Sequence, residues 1–409
     1  MNFDVIIIGA GPAGSYCASI LCQQGFKVII VEKSLFPRYS LGESLLPQNV
    51  TFLKKANLYS VLEEGDYQLK DGAQFLSGDV WQNINFSDKS SLGPCTTHQV
   101  VRSTYDDEII KKVQQQGCEV LFGHEVKKII LKNDKASHPV YIEALNLKNK
   151  SLTSLQGKFL VDASGLAKVL AKKLNFSTVV NSSNRASVFS QIQTKIPGSF
   201  DHNKILITVD KKLKKNWFWL IPQKKGLYSF GYIFEDGELN TKTSPRIILL
   251  DALEQNPYLK NVIGDFDFHM EPQRIKNYSS STSTKYGENF ICIGNSGEFL
   301  DPIFSSGVTV ALKSADLASE LIIKKLKDAS ILIDWEKEYL APLNKGIETF
   351  KAFVESWYEG DLQKIIFSKM DRREIKGKII SILAGYAWDE SNPYTEKTAK
   401  RLKTLVKLC

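Results

Sequence analysis

A glycine-rich turn near the start of the sequence constrains the fold more than any other feature. An apolar run over residues 5–8 is followed at once by three glycines in the pattern G-x-G-x-x-G, namely Gly9, Gly11 and Gly14. Helical periodicity follows over residues 15–24, and Gly25 is the residue expected just beyond the helix end. In this order of strand, glycine turn and helix, backbone amides at the helix N-terminus can bind a pyrophosphate.

A second apolar run over residues 27–31 completes the unit and ends at Glu32. An acidic residue at this distance after the third glycine is typical of the carboxylate that binds a ribose of a dinucleotide. The three glycines respectively permit the tight turn, the approach of the backbone to the pyrophosphate, and the packing of helix on strand. The sequence therefore predicts a dinucleotide-binding βαβ unit, and a glycine-rich turn in an unrelated α/β fold is the alternative.

The rest of the chain does not continue as a simple doubly wound sheet. Alternation of apolar and polar residues over 185–275 predicts an antiparallel sheet, a further buried strand is expected at 290–293, and helical periodicity begins at residue 331. We predict three parts: a discontinuous nucleotide-binding domain of residues 1–67, 100–175 and 280–330, a substrate-binding sheet domain of residues 68–99 and 176–279, and a helical C-terminal region of residues 331–409.

The charge pattern and the histidines exclude two classes of function. The 53 basic residues exceed the 45 acidic ones, but they are scattered along the chain, which is typical of a solvated surface. We therefore expect no nucleic-acid partner. The five histidines are dispersed without ligand spacing, so we also expect no metal site.

The cysteines and the apolar runs indicate where such a chain works. Its six cysteines form no C-x-x-C pair, and no apolar run is long enough to span a bilayer. The N-terminus lacks a basic stretch followed by a long apolar core. We expect a reduced, cytoplasmic protein that neither enters the secretory route nor spans a membrane.

Five other segments of the sequence contain recognisable motifs. They are Phe36-Pro37-Arg38 with Gly42-Glu43-Ser44-Leu45-Leu46-Pro47, Gln99-Val100-Val101-Arg102, Asp162-Ala163-Ser164-Gly165, Trp217-Phe218-Trp219-Leu220-Ile221-Pro222, and Gly294-Asn295-Ser296 continuing to Asp301-Pro302 and Gly307-Val308. Together with the glycine turn, they resemble the FAD-dependent monooxygenase-like flavoproteins and, within them, the flavin-dependent halogenases. The pattern W-x-W-x-I-P distinguishes halogenases from related hydroxylases.

The resemblance implies an α/β fold: an FAD domain like those of glutathione reductase and p-hydroxybenzoate hydroxylase, with an inserted antiparallel sheet domain and a helical C-terminal region. It also implies which residues bind FAD. They are Gly9, Gly11, Pro12, Ala13, Gly14, Glu32, Lys33, Arg38, Gly42, Glu43, Ser44, Arg102, Asp162, Ala163, Gly165, Gly294, Asn295, Pro302, Gly307 and Val308. Asn295 departs from the family, which commonly has an aspartate there.

The resemblance further implies the catalytic residues. Lys70 stands in the position of the family's catalytic lysine, and Trp217 and Trp219 would form a wall between flavin and substrate. Glu43 would remove a proton from the substrate ring or tune the lysine. The alternatives are a solvated lysine at a strand start, an aromatic strand that only packs into the core, and a purely structural carboxylate.

The implied reaction uses reduced FAD and O2 to oxidise chloride or bromide. The halide would bind at Ser305, Ser306 and Gly307, directly before a helix. Hypohalous acid would then pass the tryptophans and reach Lys70, either hydrogen-bonded to its ammonium or bound to its amine as a chloramine. The acceptor would be an electron-rich aromatic ring such as a phenol or a pyrrole.

Partners and rival functions complete the expectations. Because no second glycine-turn unit is present, we expect a separate flavin reductase to supply reduced FAD. The basic stretch 397–409 predicts a surface helix, or a docking face for an acidic carrier protein that bears the substrate. The rivals are an FAD-dependent aromatic hydroxylase, a geranylgeranyl-reductase-like flavoprotein, and a flavin-binding protein without catalytic activity.

Overall fold

The structure is a computed structural model of the whole chain. It describes residues 1–132, 138–180, 185–196, 200–210, 215–237, 243–276, 279–368 and 373–409. Within these ranges, no helix is both long enough and apolar enough to cross a membrane.

The strands are short and mostly buried. In chain order they are β1 (Asn2–Ile8), β2 (Val28–Glu32), β3 (Gln68–Lys70), β4 (Gly72–Ser77), β5 (Val80–Asn85), β6 (Thr97–Gln99), β7 (Glu119–Phe122), β8 (His124–Leu131), β9 (Val140–Asn146), β10 (Leu152–Asp162), β11 (Thr178–Val180), β12 (Arg185–Gln193), β13 (Lys204–Val209), β14 (Trp217–Pro222), β15 (Leu227–Glu235), β16 (Asp267–Phe268), β17 (Gln273–Lys276), β18 (Ser280–Thr282), β19 (Tyr286–Gly287), β20 (Phe290–Cys292) and β21 (Glu298–Phe299).

The helices are concentrated near the N-terminus and in the last hundred residues. They are α1 (Pro12–Gln23), α2 (Gln48–Lys55), α3 (Ser60–Glu64), α4 (Arg102–Gln115), α5 (Val169–Lys173), α6 (Pro245–Glu254), α7 (Pro257–Ile263), α8 (Gly307–Lys327), α9 (Ala341–Glu359), α10 (Asp361–Phe367), α11 (Arg373–Leu383) and α12 (Thr398–Leu405). The first helix begins three residues earlier than its periodicity predicts, because Pro12 suits the first helical position.

The first sheet contains the predicted βαβ unit and places strand ends side by side. Strands β20, β10, β1, β2 and β7 pair in that order and run parallel. Ile8 is in register with Val31 on one side and with Asp162 on the other. Because carboxyl ends of parallel strands meet at one edge, the residues that follow these strands converge there.

The second sheet brings together distant parts of the sequence. Its order is β16, β12, β15, β14, β13, β4, β5, and β4 runs parallel to β13. The strands of residues 72–85 therefore join those of residues 185–276 in one sheet. The division of the chain into three domains remains a prediction.

Alternation gives this second sheet two different faces. Trp217, Trp219 and Ile221 belong to the core shared with the first sheet, whereas Phe218 and Leu220 belong to a separate core. That separate core includes residues of α6 and α7, two helices that the strand pattern did not predict. Each helix starts with a capping residue and a proline, Ser244-Pro245 and Asn256-Pro257, and this local signal overrides the alternation.

The C-terminal region is helical, as its periodicity predicts. Five aromatic residues of this region are buried, and they are Trp335, Tyr339, Phe350, Phe353 and Trp357. Three of them lie on α9, the long helix of this region.

Candidate functional site

A cavity of about 940 Å³ opens where the parallel strands of the first sheet end. One side consists of residues that follow β1, β2, β10 and β20, and the other side consists of the second sheet. The following predicted residues line it: Gly9, Gly11, Pro12, Ala13, Glu32, Lys33, Arg38, Gly42, Glu43, Ser44, Arg102, Ala163, Gly165, Trp217, Trp219, Gly294, Asn295, Pro302, Ser305, Gly307 and Val308.

The three glycines of the turn have different surroundings. A Cβ on Gly9, whose φ is +100°, would lie 2.6 Å from the carbonyl oxygen of Ala163. A Cβ on Gly14 would lie 2.0 Å from the carbonyl oxygen of Gly9, so Gly14 is required for packing. A Cβ on Gly11 would meet only the Arg38 guanidinium, at 3.8 Å. The absence of a side chain at Gly11 therefore leaves open the space that a pyrophosphate needs.

Glu32 ends β2 with its carboxylate turned toward the glycine turn. One oxygen accepts a hydrogen bond from the amide of Ala10 at 2.8 Å, and the other accepts one from the amide of Ser34 at 2.8 Å. These bonds hold the carboxylate in one orientation. Because each carboxylate oxygen has two acceptor positions, Glu32 can still bind the hydroxyls of a ribose.

Two arginines share one buried carboxylate. Arg102 donates from Nε and Nη2 to Asp106, at 2.8 and 2.7 Å, and Arg38 donates from Nη1 to the same group at 3.1 Å. Arg102 also donates to the carbonyl of Leu41. Asp106 thus fixes two cations on the cavity wall, where they can face the phosphates and the ring system of a flavin nucleotide.

Asp162, Gly14 and Ser306 lie behind the cavity lining. Asp162 is fully buried, and its side-chain oxygens accept from the amides of Ser164 and Leu170 at 2.9 and 2.8 Å. Its carbonyl oxygen accepts from the hydroxyl of Ser296. The structure therefore places Asp162 as the group that shapes the turn and ties two motifs together.

The loop before α8 provides the predicted halide position. Ser305 is a non-glycine residue with a φ of +56°, and it lines the cavity together with Gly307, which begins the 21-residue helix. Amide groups at such a helix start carry partial positive charge and attract anions. Ser306 is buried beneath them, so of the three predicted halide residues two face the cavity.

The two tryptophans stand on the cavity side of β14. Their ring centroids are 6.1 Å apart, and the indole N–H of Trp219 donates to the hydroxyl of Ser229 at 3.1 Å. Gly231, on the neighbouring strand, lies under the Trp219 ring, which a Cβ would approach within 2.3 Å. Both tryptophans are buried core residues that also line the cavity. Their role as a wall between flavin and substrate stays a prediction.

Lys70 ends β3 and is 1% exposed, so the alternative of a solvated lysine is wrong. It pairs with Thr97 on β6, and Ser44 bridges to Gln99 on the same strand. Its Nζ donates to the Ser44 hydroxyl and to the Leu45 carbonyl, each at 2.8 Å. Burial lowers the pKa of Lys70 to about 7. Lys70 does not line the cavity itself, but Ser44, its hydrogen-bond partner, does.

Glu43 lines the cavity with a buried carboxyl group. One oxygen accepts from the amide of Gly42 at 2.9 Å, and the other has no hydrogen-bond partner in the described part of the chain. Burial raises the pKa of this carboxyl, although its bonds to backbone amides and the charge of Arg102 act in the opposite direction. A carboxylate whose pKa is raised accepts a proton more readily than an exposed one does.

Sequence reasoning missed the apolar part of the lining. Phe189, Ile205 and Ile221 face the cavity from three strands of the second sheet, and Ser187 lies beside them. The alternation along β12 and β14 carries this signal, because Ser187 and Phe189, like Trp219 and Ile221, are two residues apart. Among the described residues, no three or more His, Cys, Asp or Glu side chains are grouped so that they could hold a metal ion.

Comparison with known proteins shows the family to which the chain belongs. A family model described as an FAD binding domain matches residues 2–321, and the chain belongs to this family of FAD-binding proteins. A crystal structure of a flavoprotein/dehydrogenase from Cytophaga hutchinsonii is 33% identical, with a TM-score of 0.93 over 100% of this chain and 98% of that one. The prediction of an FAD-dependent enzyme with this α/β fold is confirmed.

Two curated relatives carry a more specific description. The flavin-dependent halogenase armH1 of Armillaria mellea is 28% identical over 345 residues, which are 79% of this chain and 65% of that protein. A 1H-pyrrole-2-carbonyl peptidyl-carrier-protein chlorinase of Pseudomonas fluorescens is 25% identical over 435 residues, covering 100% of this chain and 92% of that protein. The predicted resemblance to flavin-dependent halogenases is thereby confirmed. The residues of the cavity fit FAD: an open glycine turn, an acidic residue after β2 and two anchored arginines.

The two glycines of the turn allow a matched test of the cofactor site. We expect Gly11→Ala to leave the unfolding temperature of the FAD-free protein nearly unchanged, because its backbone is extended and its Cβ position is open. FAD affinity should fall about tenfold or more, since the methyl group occupies the approach to the pyrophosphate. Gly14→Ala should instead lower the unfolding temperature without FAD. Thermal unfolding and FAD titration check both, and equal FAD affinity in Gly11→Ala and wild type would contradict the placement.

Proposed function

We propose that the chain is a halogenase that uses reduced FAD and O2 to chlorinate or brominate an electron-rich aromatic ring through hypohalous acid. The observation that carries the proposal is that Trp217 and Trp219 line the same cavity as the FAD-binding residues and the loop before α8. When bound, reduced FAD supplies the electrons for reducing O2, which becomes the oxidant of the halide. The protein supplies placement, exclusion of water and electrostatics.

The halide binds at the loop that ends in Ser305 and Gly307. There the amides at the start of α8 attract an anion, and the apolar walls around the cavity exclude water. Trp217 and Trp219 separate this region from the organic substrate, so that oxygen is not transferred to the substrate directly.

Lys70 holds the electrophilic halogen through its amine. Within the described residues, Nζ has two oxygen acceptors, the Ser44 hydroxyl and the Leu45 carbonyl. A neutral amine carries two N–H groups and one lone pair, so both hydrogens are bonded and the lone pair stays free. Because its pKa is lowered to about 7, a large share of Lys70 is neutral at physiological pH. These features favour the amine over the ammonium as the form that receives the halogen.

Glu43 acts as the base for the proton that the ring loses on substitution. Its buried, partly unpartnered carboxyl group lies on the cavity wall, and burial raises its pKa. A base with a raised pKa matches the task of taking up a proton near pH 7.

The substrate is an electron-rich aromatic such as a phenol or a pyrrole, and it arrives bound to a carrier protein. The chlorinase of Pseudomonas fluorescens and a brominase of Pseudoalteromonas luteoviolacea are both described as acting on pyrrolyl carrier proteins. On this chain, α12 buries Leu402 and Leu405 and exposes a basic side formed by Lys400, Arg401 and Lys403, and the exposed Lys407 follows the helix. That side suits an acidic carrier protein. A separate flavin reductase supplies reduced FAD, and the six unpaired cysteines support a cytoplasmic location.

The reaction can be tested directly with the purified protein. We expect halogenated product by mass spectrometry when reduced FAD, O2, bromide or chloride and a panel of free or carrier-bound phenols and pyrroles are supplied. Without a flavin reductase, oxidation of NADPH by the chain alone should be slow. Oxygen insertion without halogen would favour a hydroxylase, and flavin binding without any product would favour a protein without catalytic activity.

Substitution of Lys70 tests its role in turnover. Lys70→Met should lower product formation about 10²-fold or more, while oxidation of reduced FAD continues and releases hydrogen peroxide. Lys204→Met is a matched control, because Lys204 is also a buried lysine but is paired with Asp71 and Asp201. Product formation per reduced FAD should survive in that variant.

The lowered pKa of Lys70 also has a signature in stability. Between pH 7 and about 10.5 the unfolded chain keeps the lysine proton that the folded protein has lost. The unfolding free energy of the wild type, measured relative to Lys70→Met, should therefore rise by about 1.4 kcal/mol per pH unit across this window. Parallel pH curves for the two proteins in denaturant unfolding would show that the pKa is not lowered.

Charge reversal tests the carrier-docking face. Lys400→Glu with Lys403→Glu should raise KM for a carrier-bound substrate about tenfold. Added salt should also raise this KM in the wild type, because it screens the same charges. Turnover of the free aromatic should not change. Lys148→Glu with Lys150→Glu, a pair of exposed lysines on another turn, provides the same change in net charge. Equal KM values in the two double variants would exclude α12 as the docking face.

A further inference from the structure

The hydroxyl of Tyr358 joins two parts of the cavity wall that are far apart in sequence. It accepts a hydrogen bond from the indole N–H of Trp217 at 3.0 Å, and it donates one to Oδ2 of Asp301 at 3.0 Å. We propose that Tyr358 is a positioning residue. It fixes the orientation of the Trp217 side chain relative to the loop that leads from Asp301 to the halide position. The proposal concerns the geometry of the wall, and its importance for turnover rests on the proposed halogenase function.

On the sheet side, Tyr358 determines the orientation of one tryptophan of the pair. The indole N–H of Trp219 is bonded within the second sheet, to Ser229 on the neighbouring strand. The indole N–H of Trp217 instead points out of the sheet, to a helix of the C-terminal region. An indole has one donor, so this single bond selects the rotation of the Trp217 ring. Because Trp217 lines the cavity, that rotation sets part of the cavity shape.

On the loop side, Tyr358 binds the residue that shapes the approach to the halide position. Oδ1 of Asp301 accepts from the amide of Ile303 at 3.2 Å and so caps the short turn Pro302–Phe304. That turn runs directly into Ser305. The second oxygen of the same carboxylate accepts a hydrogen bond from the Tyr358 hydroxyl. The carboxylate is buried, so each of its oxygens needs a partner, and Tyr358 supplies one of them.

Further contacts hold helix α9 against residues 298–304, so the position of Tyr358 on this helix is fixed. Lys351 pairs with Glu298 at 2.8 Å. The ring of Phe304 packs edge-on against Phe353 and Trp357, with centroids 6.2 and 6.0 Å apart. Successive turns of α9 therefore contact the segment of residues 298–304.

The ring of Tyr358 is also held from its face. The guanidinium carbon of Arg185 lies 3.6 Å from the ring centroid, and Arg185 donates to the carbonyl of Lys215 at 3.2 Å. Lys215 stands two residues before Trp217, so the same arginine connects the tyrosine ring with the start of β14. The hydroxyl consequently has little freedom to leave its two partners.

Removal of the hydroxyl alone tests the inference. In Tyr358→Phe the ring, its packing and its stacking on Arg185 remain, but Trp217 loses its acceptor and Asp301 loses a donor. We expect the indole N–H resonance of Trp217 to shift and to exchange faster with solvent. The resonance is assigned in ¹⁵N-tryptophan-labelled protein by its loss in Trp217→Phe. Tyr386→Phe is the matched control, because it likewise removes a partly buried tyrosine hydrogen bond, the one to the carbonyl of Pro94.

A second measurement connects this geometry with turnover. Halogenated product per reduced FAD consumed should fall about tenfold or more in Tyr358→Phe, with the difference released as hydrogen peroxide. The reason is that a displaced Trp217 side chain changes the cavity wall along which the reactants are aligned. In the Trp217→Phe background, Tyr358→Phe should cause little further loss. Tyr386→Phe should keep the wild-type product yield.

The two measurements separate failure of the inference from failure of the proposed function. An unchanged Trp217 resonance in Tyr358→Phe, or an equal change in Tyr386→Phe, overturns the positioning role whatever the enzyme does. A shifted resonance with unchanged product yield overturns the role in turnover. If the wild-type protein makes no halogenated product, the proposed function fails, and the resonance alone decides whether Tyr358 positions the wall.

Discussion

The parallel pairing of β10 with β1 on one side and β20 on the other is the constraint on which the rest of the structure depends. It brings the turns after residues 8, 162 and 292 to one edge of the sheet, although they are more than a hundred residues apart. Hydrogen bonds across this edge, from Ile293 to the carbonyl of Asp162 and from Gly9 to that of Val31, hold the turns in place. Without this register no cavity would form at the glycine turn.

The second sheet completes the cavity because its two faces have separate tasks. One face packs on α6 and α7 and forms a core separate from the one on the cavity side. The other face is thereby available to place tryptophans and smaller apolar residues against the nucleotide-binding edge. A rigid strand is a better support for such a wall than a loop, since packing restricts its side chains to few rotamers.

The features that sequence predicts well are those whose cause is local. The glycine turn, the helix that follows it and Glu32 follow from periodicity and turn chemistry within about thirty residues. The missed features depend on pairing between distant segments. Lys70 is buried because β3 pairs with β6 and Ser44 bridges to Gln99, and no pattern around Lys70 reports that pairing. Asp162 is part of a matched motif, but only the fold shows that its oxygens are already used by Ser164 and Leu170.

Three ionisable groups near the cavity are buried in ways that do not favour stability. Burial lowers the pKa of Lys70 to about 7, raises that of Asp301 to about 6, and raises that of Glu43. Each shift means that the charged form is less stable in the fold than in water. Groups with shifted pKa values that lie together beside one cavity are typical of functional sites.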